Sequence, residues 1–272
     1  MPRARSKPRP RARPRLAPRD PAPIPTNNSH RPTPDPNAFY ARVLQTAKDS
    51  RVPFLIGGGW AVNAYTGIAR ATKDVDLFCR AEDYPRLLAF AGKRGYATEV
   101  EDERWIAKIC KGALFCDVIF GSANAVAPVN AGWFKQVCNG KVVGVAVRLL
   151  PPTELLWSKC LIMDRLRYDG SDVAHIILRQ HQHIDWKRLL SHMSPYWEVL
   201  LSHLLLFRFI YPHMRSAVPA WLLDHLLDNL AAQRRMPAPR KHVCRGRIFS
   251  RDDYVTDITA WGLADLIGED RS

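Results

Sequence analysis

The sequence predicts an α+β protein: a mixed sheet flanked by helices, followed by a helical C-terminal domain. In the first half, short apolar runs with the length of buried strands alternate with helical patterns. After Pro151-Pro152, apolar residues recur only at helical spacing. We therefore expect an N-terminal tail over residues 1–36, a first domain over residues 37–150 and a helical domain over residues 151–272.

The tail combines positive charge with many prolines. It contains eight arginines and one lysine against two aspartates, and 11 of the 21 prolines in a chain whose net charge is +14. Such a segment cannot bury enough apolar surface to offset the entropy lost on ordering, so we expect it to be disordered. Two interpretations stay open: an electrostatic arm that contacts RNA, DNA or acidic lipid, and a solvated tail or upstream extension without a function.

The first domain is expected to contain three helices and six strands. The helices run from Asn37 through Ala47, over Trp60–Tyr65 with Gly67 as the stop signal, and over Tyr84–Ala91 with Asp83 as the cap. The predicted strands are Val52–Ile56, Val75–Cys79, Tyr96–Val100, Trp105–Cys110, Leu114–Phe120 and Val142–Leu149. A turn at Asn139-Gly140 introduces the last of these strands.

The second half is expected to be all helical. One helix opens at Thr153 and continues to Met163, and another begins at Ser194-Pro195 and runs to about Phe209. Two more are predicted over Ala220–Leu230 and near Tyr254–Leu266, the latter after the capping signature Ser250-x-x-Asp253.

The candidate catalytic residues are three aspartates. Asp74 and Asp76 are two positions apart, so on a strand both side chains leave the same face. Adjacent carboxylates repel each other unless a cation lies between them, and oxygen ligands at this spacing suit Mg²⁺. Asp117 lies inside an apolar run, where a carboxylate is costly without a partner. We expect it to complete a site for two metal ions from a neighbouring strand.

Gly58 and Gly59 are the candidate phosphate-binding residues. A strand that ends in two glycines and turns into a helix presents backbone N–H groups and the positive end of the helix to an anion. Neither a dinucleotide fingerprint, because Val62 stands where glycine or alanine is needed, nor a P-loop fits this segment. The pattern predicts attack of a hydroxyl on the α-phosphate of an NTP, with two metal ions holding the attacking and leaving oxygens.

Gly58-Gly59 and Asp74-Val75-Asp76-Leu77, with Asp117 on a later strand, resemble the signature of the polymerase-beta-like nucleotidyltransferase superfamily. The glycine segment is similar to that of aminoglycoside nucleotidyltransferases, and residues 70–76 resemble the abortive-infection, type IV toxin branch. The resemblance implies the nucleotidyltransferase fold and a bacterial, cytoplasmic enzyme that binds ATP or another NTP and holds two Mg²⁺ ions through the three aspartates.

In the toxin branch, a lysine on the first helix of the next domain binds the nucleotide, and an acid a turn or two later completes the site. Here Lys159, followed by Arg165 and Asp172, fits that pattern. The resemblance therefore implies nucleotide binding by Lys159 and Asp172. Arg70 and Thr72 are expected to steer phosphates.

The resemblance leaves the acceptor open among tRNA, a protein and a small hydroxylated molecule such as an aminoglycoside. The basic tail favours an RNA acceptor, and the glycine segment favours a small molecule. The alternative function is a non-catalytic nucleotide- or RNA-binding module on the same fold.

Several features point away from other classes. No apolar run approaches the roughly 20 residues of a membrane span, so we expect no contact with a membrane. The six cysteines form no C-x-x-C pair, which suits buried thiols in a reducing compartment. The sequence assigns no role to the histidine-rich region 175–213 or to Arg245 and Arg247.

Overall fold

The computed structural model describes residues 35–250 and 252–265, without the side chains of residues 123 and 124. The predicted disorder of the tail and its contact with RNA lie outside the described residues, apart from Asp35 and Pro36. These two residues belong to the first helix: the Asp35 carboxylate accepts a hydrogen bond from the Asn37 N–H at 3.0 Å, and Pro36 is the first helical residue. The helix therefore starts one residue before the predicted cap, Asn37.

A mixed sheet lies at the centre of the structure, and its strand order is β3-β4-β5-β2-β1-β8-β7. Within it β2 pairs parallel with β5 and β1 pairs parallel with β8, while the other neighbours are antiparallel. These strands, and the short β6, are β1 Leu55–Ile56, β2 Asp76–Phe78, β3 Ala97–Asp102, β4 Ile106–Lys111, β5 Leu114–Ile119, β6 Ala127–Pro128, β7 Cys138–Val142 and β8 Val145–Leu149.

Helices cover both faces of the sheet, as predicted. In the first half they are α1 Pro36–Asp49, α2 Gly58–Thr66, α3 Tyr84–Lys93 and α4 Ser122–Ala125; in the second half they are α5 Pro152–Cys160, α6 Gly170–Gln180, α7 Trp186–Met193, α8 Trp197–Ile210, α9 Ala220–Gln233 and α10 Val255–Thr259. The helical C-terminal region is confirmed. It also contains a two-stranded parallel ladder of β9 Val243–Cys244 and β10 Ala264–Asp265.

Two apolar clusters fill the two sides of the sheet. One cluster joins α1 and α3 to residues such as Leu77 and Val118. The other joins the opposite face, including Phe78 and Ile119, to the helices of the second half. Because this second cluster crosses residue 150, α5 and α6 are fixed directly on the sheet face from which Phe78 projects. The division into domains at residue 150 stays a prediction.

The turn predicted at Asn139-Gly140 is wrong. Both residues lie inside β7, and the reversal occurs at Val143 and Gly144, which have φ angles of 44° and 82°. Gly140 is in a strand for a steric reason: a Cβ atom there would lie 2.8 Å from a methyl carbon of Leu149 on β8. The glycine therefore provides close packing between strands rather than a turn.

Three helix predictions in the second half also need correction. The helix opened at Thr153 ends at Cys160, because the chain reverses so that Met163 pairs with Tyr168 in an isolated bridge. Ser194-Pro195 begins a 3₁₀ turn, and α8 starts at Trp197. The Asp253 N–H does bond to the Ser250 hydroxyl at 3.1 Å, but the helix that follows is only Val255–Thr259.

In the described parts of the chain, no helix has both the length and the apolar composition that crossing a bilayer requires.

Two glycines at helix ends give a paired stability test. Gly67 ends α2 with φ 75°, whereas Gly92 lies in the last turn of α3, and an added Cβ atom meets nothing within 4 Å at either position. We expect Gly67→Ala to lower the free energy of unfolding by about 1 kcal/mol, because alanine is strained in the left-handed region. Gly92→Ala should raise it by up to about 1 kcal/mol, because alanine restricts the unfolded chain. Urea unfolding measures both, and equal changes at the two positions would contradict the different backbone geometries.

Candidate active site

Strand pairing brings Asp76 and Asp117 face to face. In the parallel ladder of β2 and β5, Asp76 is the register partner of Asp117, and the Asp117 N–H donates to the Val75 carbonyl at 3.0 Å. Neighbouring residues on both strands belong to the α1–α3 cluster, so the two carboxylates project from the opposite face, toward the second half of the chain. The sequence predicted this neighbourhood from Asp117 alone, without the register.

The two carboxylates share an unfavourable electrostatic environment. Burial, with added repulsion from Asp76 and Asp74, raises the pKa of Asp117 to about 7. Burial and Asp74 likewise raise the pKa of Asp76 to about 6, against the opposing effect of Lys159 and Arg167. The Asp117 Oδ1 atom is buried and has no hydrogen-bond partner among the described residues. A cation between the two side chains would relieve both the repulsion and the unsatisfied oxygen.

Asp74 lies beside this pair in a bend that precedes β2. Its carbonyl accepts a hydrogen bond from the Trp60 indole at 2.9 Å, which fixes the backbone of the bend. Within the described ranges, no three acidic, histidine or cysteine side chains converge as a metal-binding group. Mg²⁺ needs only one or two protein carboxylates, because water and substrate phosphates fill the rest of its shell. Asp76 and Asp117 therefore fit a magnesium ion as a pair.

Gly58 gives the Asp76 carboxylate its position. Gly58 is the first residue of α2 and has φ 54°, and a Cβ atom on it would lie 1.6 Å from the Asp76 Oδ2 atom. The carboxylate thus lies against the N-terminus of α2, where the helix dipole favours negative charge. Gly59 has a different neighbour, since its Cβ position is 2.7 Å from the Thr72 methyl carbon.

A cavity of about 250 Å³ lies in front of the carboxylates. Asp76 and Asp117 line it from the sheet, and Lys159 and Arg167 line it from the helical half. Its other lining residues are Gly58, Phe78, Trp105, Ile106, Ile119, Ser122, Ser158, Ile162, Asp164 and Phe249. The cavity therefore joins a negative wall, a positive wall and an apolar rim.

A larger groove, of about 440 Å³, lies elsewhere, between the end of α1 and strands β7 and β8. Its charged lining residues are Lys48, Arg51 and Arg148, and no carboxylate lines it. The chemistry predicted from the aspartates therefore belongs to the smaller cavity.

Lys159 reaches the cavity, as the sequence predicts. Its side chain is 5% exposed, and Nζ lies 2.6 Å from Asp169 and 3.0 Å from Asp172. Asp172 is in the first turn of α6, where it also pairs with Arg70. Asp172 and Arg70 are thus joined to Lys159 by ion pairs and do not line the cavity. Roles in nucleotide binding for Gly58, Gly59, Arg70, Thr72, Lys159 and Asp172 stay predictions.

Sequence reasoning missed Arg167 and Asp169. Arg167 lines the cavity and donates to Asp169 from Nε at 3.1 Å and from Nη2 at 3.0 Å. The sequence pattern had favoured Arg165 instead, whose side chain is 80% exposed and pairs with Asp253. The two arginines are two residues apart in a loop without periodicity, so no local signal distinguishes them.

The histidines and the Arg245–Arg247 segment make ordinary structural contacts. The His192 ring stacks on Trp157 at 4.0 Å between centroids, and His203 Nε2 is 2.9 Å from the Cys160 carbonyl oxygen. Arg245 pairs with Glu198, and Arg247 pairs with Asp265. These contacts account for the segment as packing between α8 and the C-terminal ladder.

Comparison with known proteins supports the chemistry that the geometry indicates. The family model of aminoglycoside-2''-adenylyltransferase matches residues 40–110, about a quarter of the chain, including both glycines, Asp74 and Asp76. A 2''-aminoglycoside nucleotidyltransferase of Klebsiella pneumoniae is 28% identical over 120 residues, which are 43% of this chain and 68% of the relative.

Solved structures were also matched. The solution structure of antibiotic-resistance factor ANT(2'')-Ia has a TM-score of 0.40 and 19% identity, covering 66% of this chain and 95% of its own. An antigenic nucleotidyltransferase-like protein from Paracoccidioides brasiliensis has a TM-score of 0.43 and 16% identity, covering 67% of this chain and 91% of its own.

The predicted α+β fold is the nucleotidyltransferase fold. Its strand ends carry the carboxylates of the signature, and the family model and the Klebsiella relative match the segment that contains Gly58, Gly59, Asp74 and Asp76. The chain therefore belongs to the nucleotidyltransferase superfamily and is a nucleotidyltransferase, an enzyme that transfers a nucleoside monophosphate to a hydroxyl acceptor.

Proposed function

We propose that this chain transfers AMP from ATP to a hydroxyl group of a small hydroxylated molecule, in a reaction that depends on Mg²⁺. The observation that carries the proposal is the opposed pair of Asp76 and Asp117, with one buried oxygen that lacks a partner among the described residues. ATP as the donor and an aminoglycoside-like acceptor are supported by the family model and by the Klebsiella relative.

The residues present fit Mg²⁺, and each has a task. Asp76 and Asp117 would hold the metal, with Asp74 beside them as the third carboxylate of a two-ion site. When bound, the metal polarises the α-phosphate and stabilises the attacking and leaving oxygens. Asp117 has a second oxygen, which can accept the proton of the attacking hydroxyl. Lys159 and Arg167, on the opposite wall, carry the positive charge that a triphosphate needs.

An RNA acceptor is the second candidate. It is favoured by the positive charge of residues 1–36, which account for half of the net charge of +14. An RNA acceptor requires binding that weakens with salt and with removal of residues 1–36, whereas transfer to a small molecule should not respond to that deletion.

We expect Asp76→Asn and Asp117→Asn to lower the rate of AMP transfer by about 100-fold or more, because each removes a carboxylate that holds metal or accepts a proton. Asp74→Asn should lower it too if the third carboxylate joins the site. Glu99→Gln, on the exposed edge strand β3, is the matched control and should leave the rate unchanged. The assay uses labelled ATP and Mg²⁺ with aminoglycosides and total tRNA as separate acceptors, and circular dichroism checks the fold.

Unchanged transfer by Asp117→Asn would contradict the assignment. Failure of the wild-type chain to transfer AMP to any acceptor, together with tight binding of RNA, would instead support the non-catalytic alternative.

Gly58→Ala tests the placement of Asp76. The new Cβ atom would overlap the carboxylate and must move it, and a displacement of about 1 Å at a reacting group lowers rates by about 100-fold. We expect the variant to fold and to lose transfer to that extent. Gly59→Ala displaces only the Thr72 methyl group, so its loss should be smaller. Equal rates for Gly58→Ala and the wild type would show that Asp76 is not held where the structure has it.

A further inference from the structure

Five charged side chains form a continuous row behind the cavity: Arg70, Asp172, Lys159, Asp169 and Arg167. Arg70 pairs with Asp172, and Asp172 lies 3.0 Å from Lys159. Lys159 lies 2.6 Å from Asp169, which also accepts from Arg167 at 3.0 Å. Signs alternate along this ionic row, and its formal charge is +1. It links the loop after α2, the first turn of α6, the last turn of α5 and the loop that follows α5.

The carboxylates in the row fix the direction of Lys159. An ammonium group has three N–H donors, and two of them point at Asp169 and Asp172. A buried lysine with two carboxylate partners stays charged and loses most of its rotational freedom. Lys159 also lines the cavity, so its remaining donor is available to a ligand there.

Arg167 is the accessible cation of the row. Its side chain is 59% exposed and lines the same cavity. A guanidinium has five N–H donors, and Nε and one Nη2 donor are directed at Asp169. The other donors keep the planar fork that binds phosphate oxygens in pairs. Asp169 thus holds Arg167 and Lys159 side by side on one wall.

We propose that Arg167 and Lys159 together bind the triphosphate of the nucleotide donor, and that Asp169 and Asp172 are positioning residues that orient these two cations. The inference rests on the proposed function, since it assumes that the donor is an NTP. It assigns to Arg167 a task that the sequence pattern had given to Arg165, and it makes Asp172 a partner of Lys159 and Arg70 rather than a ligand of the nucleotide.

Binding of inorganic tripolyphosphate and of ATP to the full chain tests the role of Arg167, by calorimetry without an acceptor. We expect Arg167→Gln to weaken both affinities about tenfold or more, as for the loss of a charge-assisted hydrogen bond. Arg167→Lys should recover part of the loss, since it keeps the charge but not the fork. Arg165→Gln, two residues away in the same loop, is the matched control and should bind as the wild type does.

Equal affinities for Arg167→Gln and Arg165→Gln would overturn the role of Arg167. This outcome is distinguishable from failure of the proposed function. If the wild type transfers no AMP yet binds tripolyphosphate in a manner that depends on Arg167, the proposed function fails and the phosphate site stands.

A split between KM and kcat tests the positioning residues. We expect Asp172→Asn to raise the KM for ATP several-fold while the KM for the acceptor and kcat change little, and Asp172→Glu to restore part of the affinity. Arg70→Gln, at the exposed end of the row, should give a weaker effect of the same kind without leaving a buried cation unpaired. A fall in kcat with an unchanged KM for ATP would overturn the positioning role and would place Asp172 at the chemical step.

Discussion

The repulsion between Asp76 and Asp117 is the constraint on which the rest of the site depends. Strand register places the two carboxylates opposite each other on one face of the sheet. Burial raises the pKa of both groups, and one oxygen of Asp117 is left without a hydrogen bond among the described residues. A pair of this kind is costly to the folded chain unless a ligand compensates it. The site is thus built for a cation and for the anion that a cation brings with it.

The neighbouring elements are shaped around this pair. The missing side chain of Gly58 leaves the space that the Asp76 carboxylate occupies at the start of α2. The helical half packs directly on the same sheet face and brings Lys159 and Arg167 to the opposite wall of the cavity. The sheet therefore provides the acids and the helices provide the bases, and neither half of the chain has a complete site by itself.

The sequence predicted the parts of the site that lie within local patterns. The paired aspartates, the glycines at a strand-to-helix turn and a third acid on a later strand are all readable from spacing and burial. The same patterns gave the fold class and most helices and strands of the first half.

The failures come from contacts between residues distant in the chain. Asn139-Gly140 has the composition of a turn, but Gly140 is needed for packing against Leu149 on the next strand. Arg165 and Arg167 are equivalent in sequence, and only the loop after Cys160 decides that Arg167 faces the cavity. Met163 continues a helical pattern that the Tyr168 bridge interrupts. In each case tertiary structure overrides a local preference.

The central claim is that Asp76 and Asp117 hold the metal that accompanies the nucleotide. A crystal structure of the full chain with Mn²⁺ and a non-hydrolysable ATP analogue, with anomalous data collected to locate the metal, tests it most directly. The account predicts an anomalous peak in contact with both carboxylates and the triphosphate against Lys159 and Arg167. A metal bound away from the two carboxylates, or a nucleotide bound in the groove between α1 and strands β7 and β8, would contradict it.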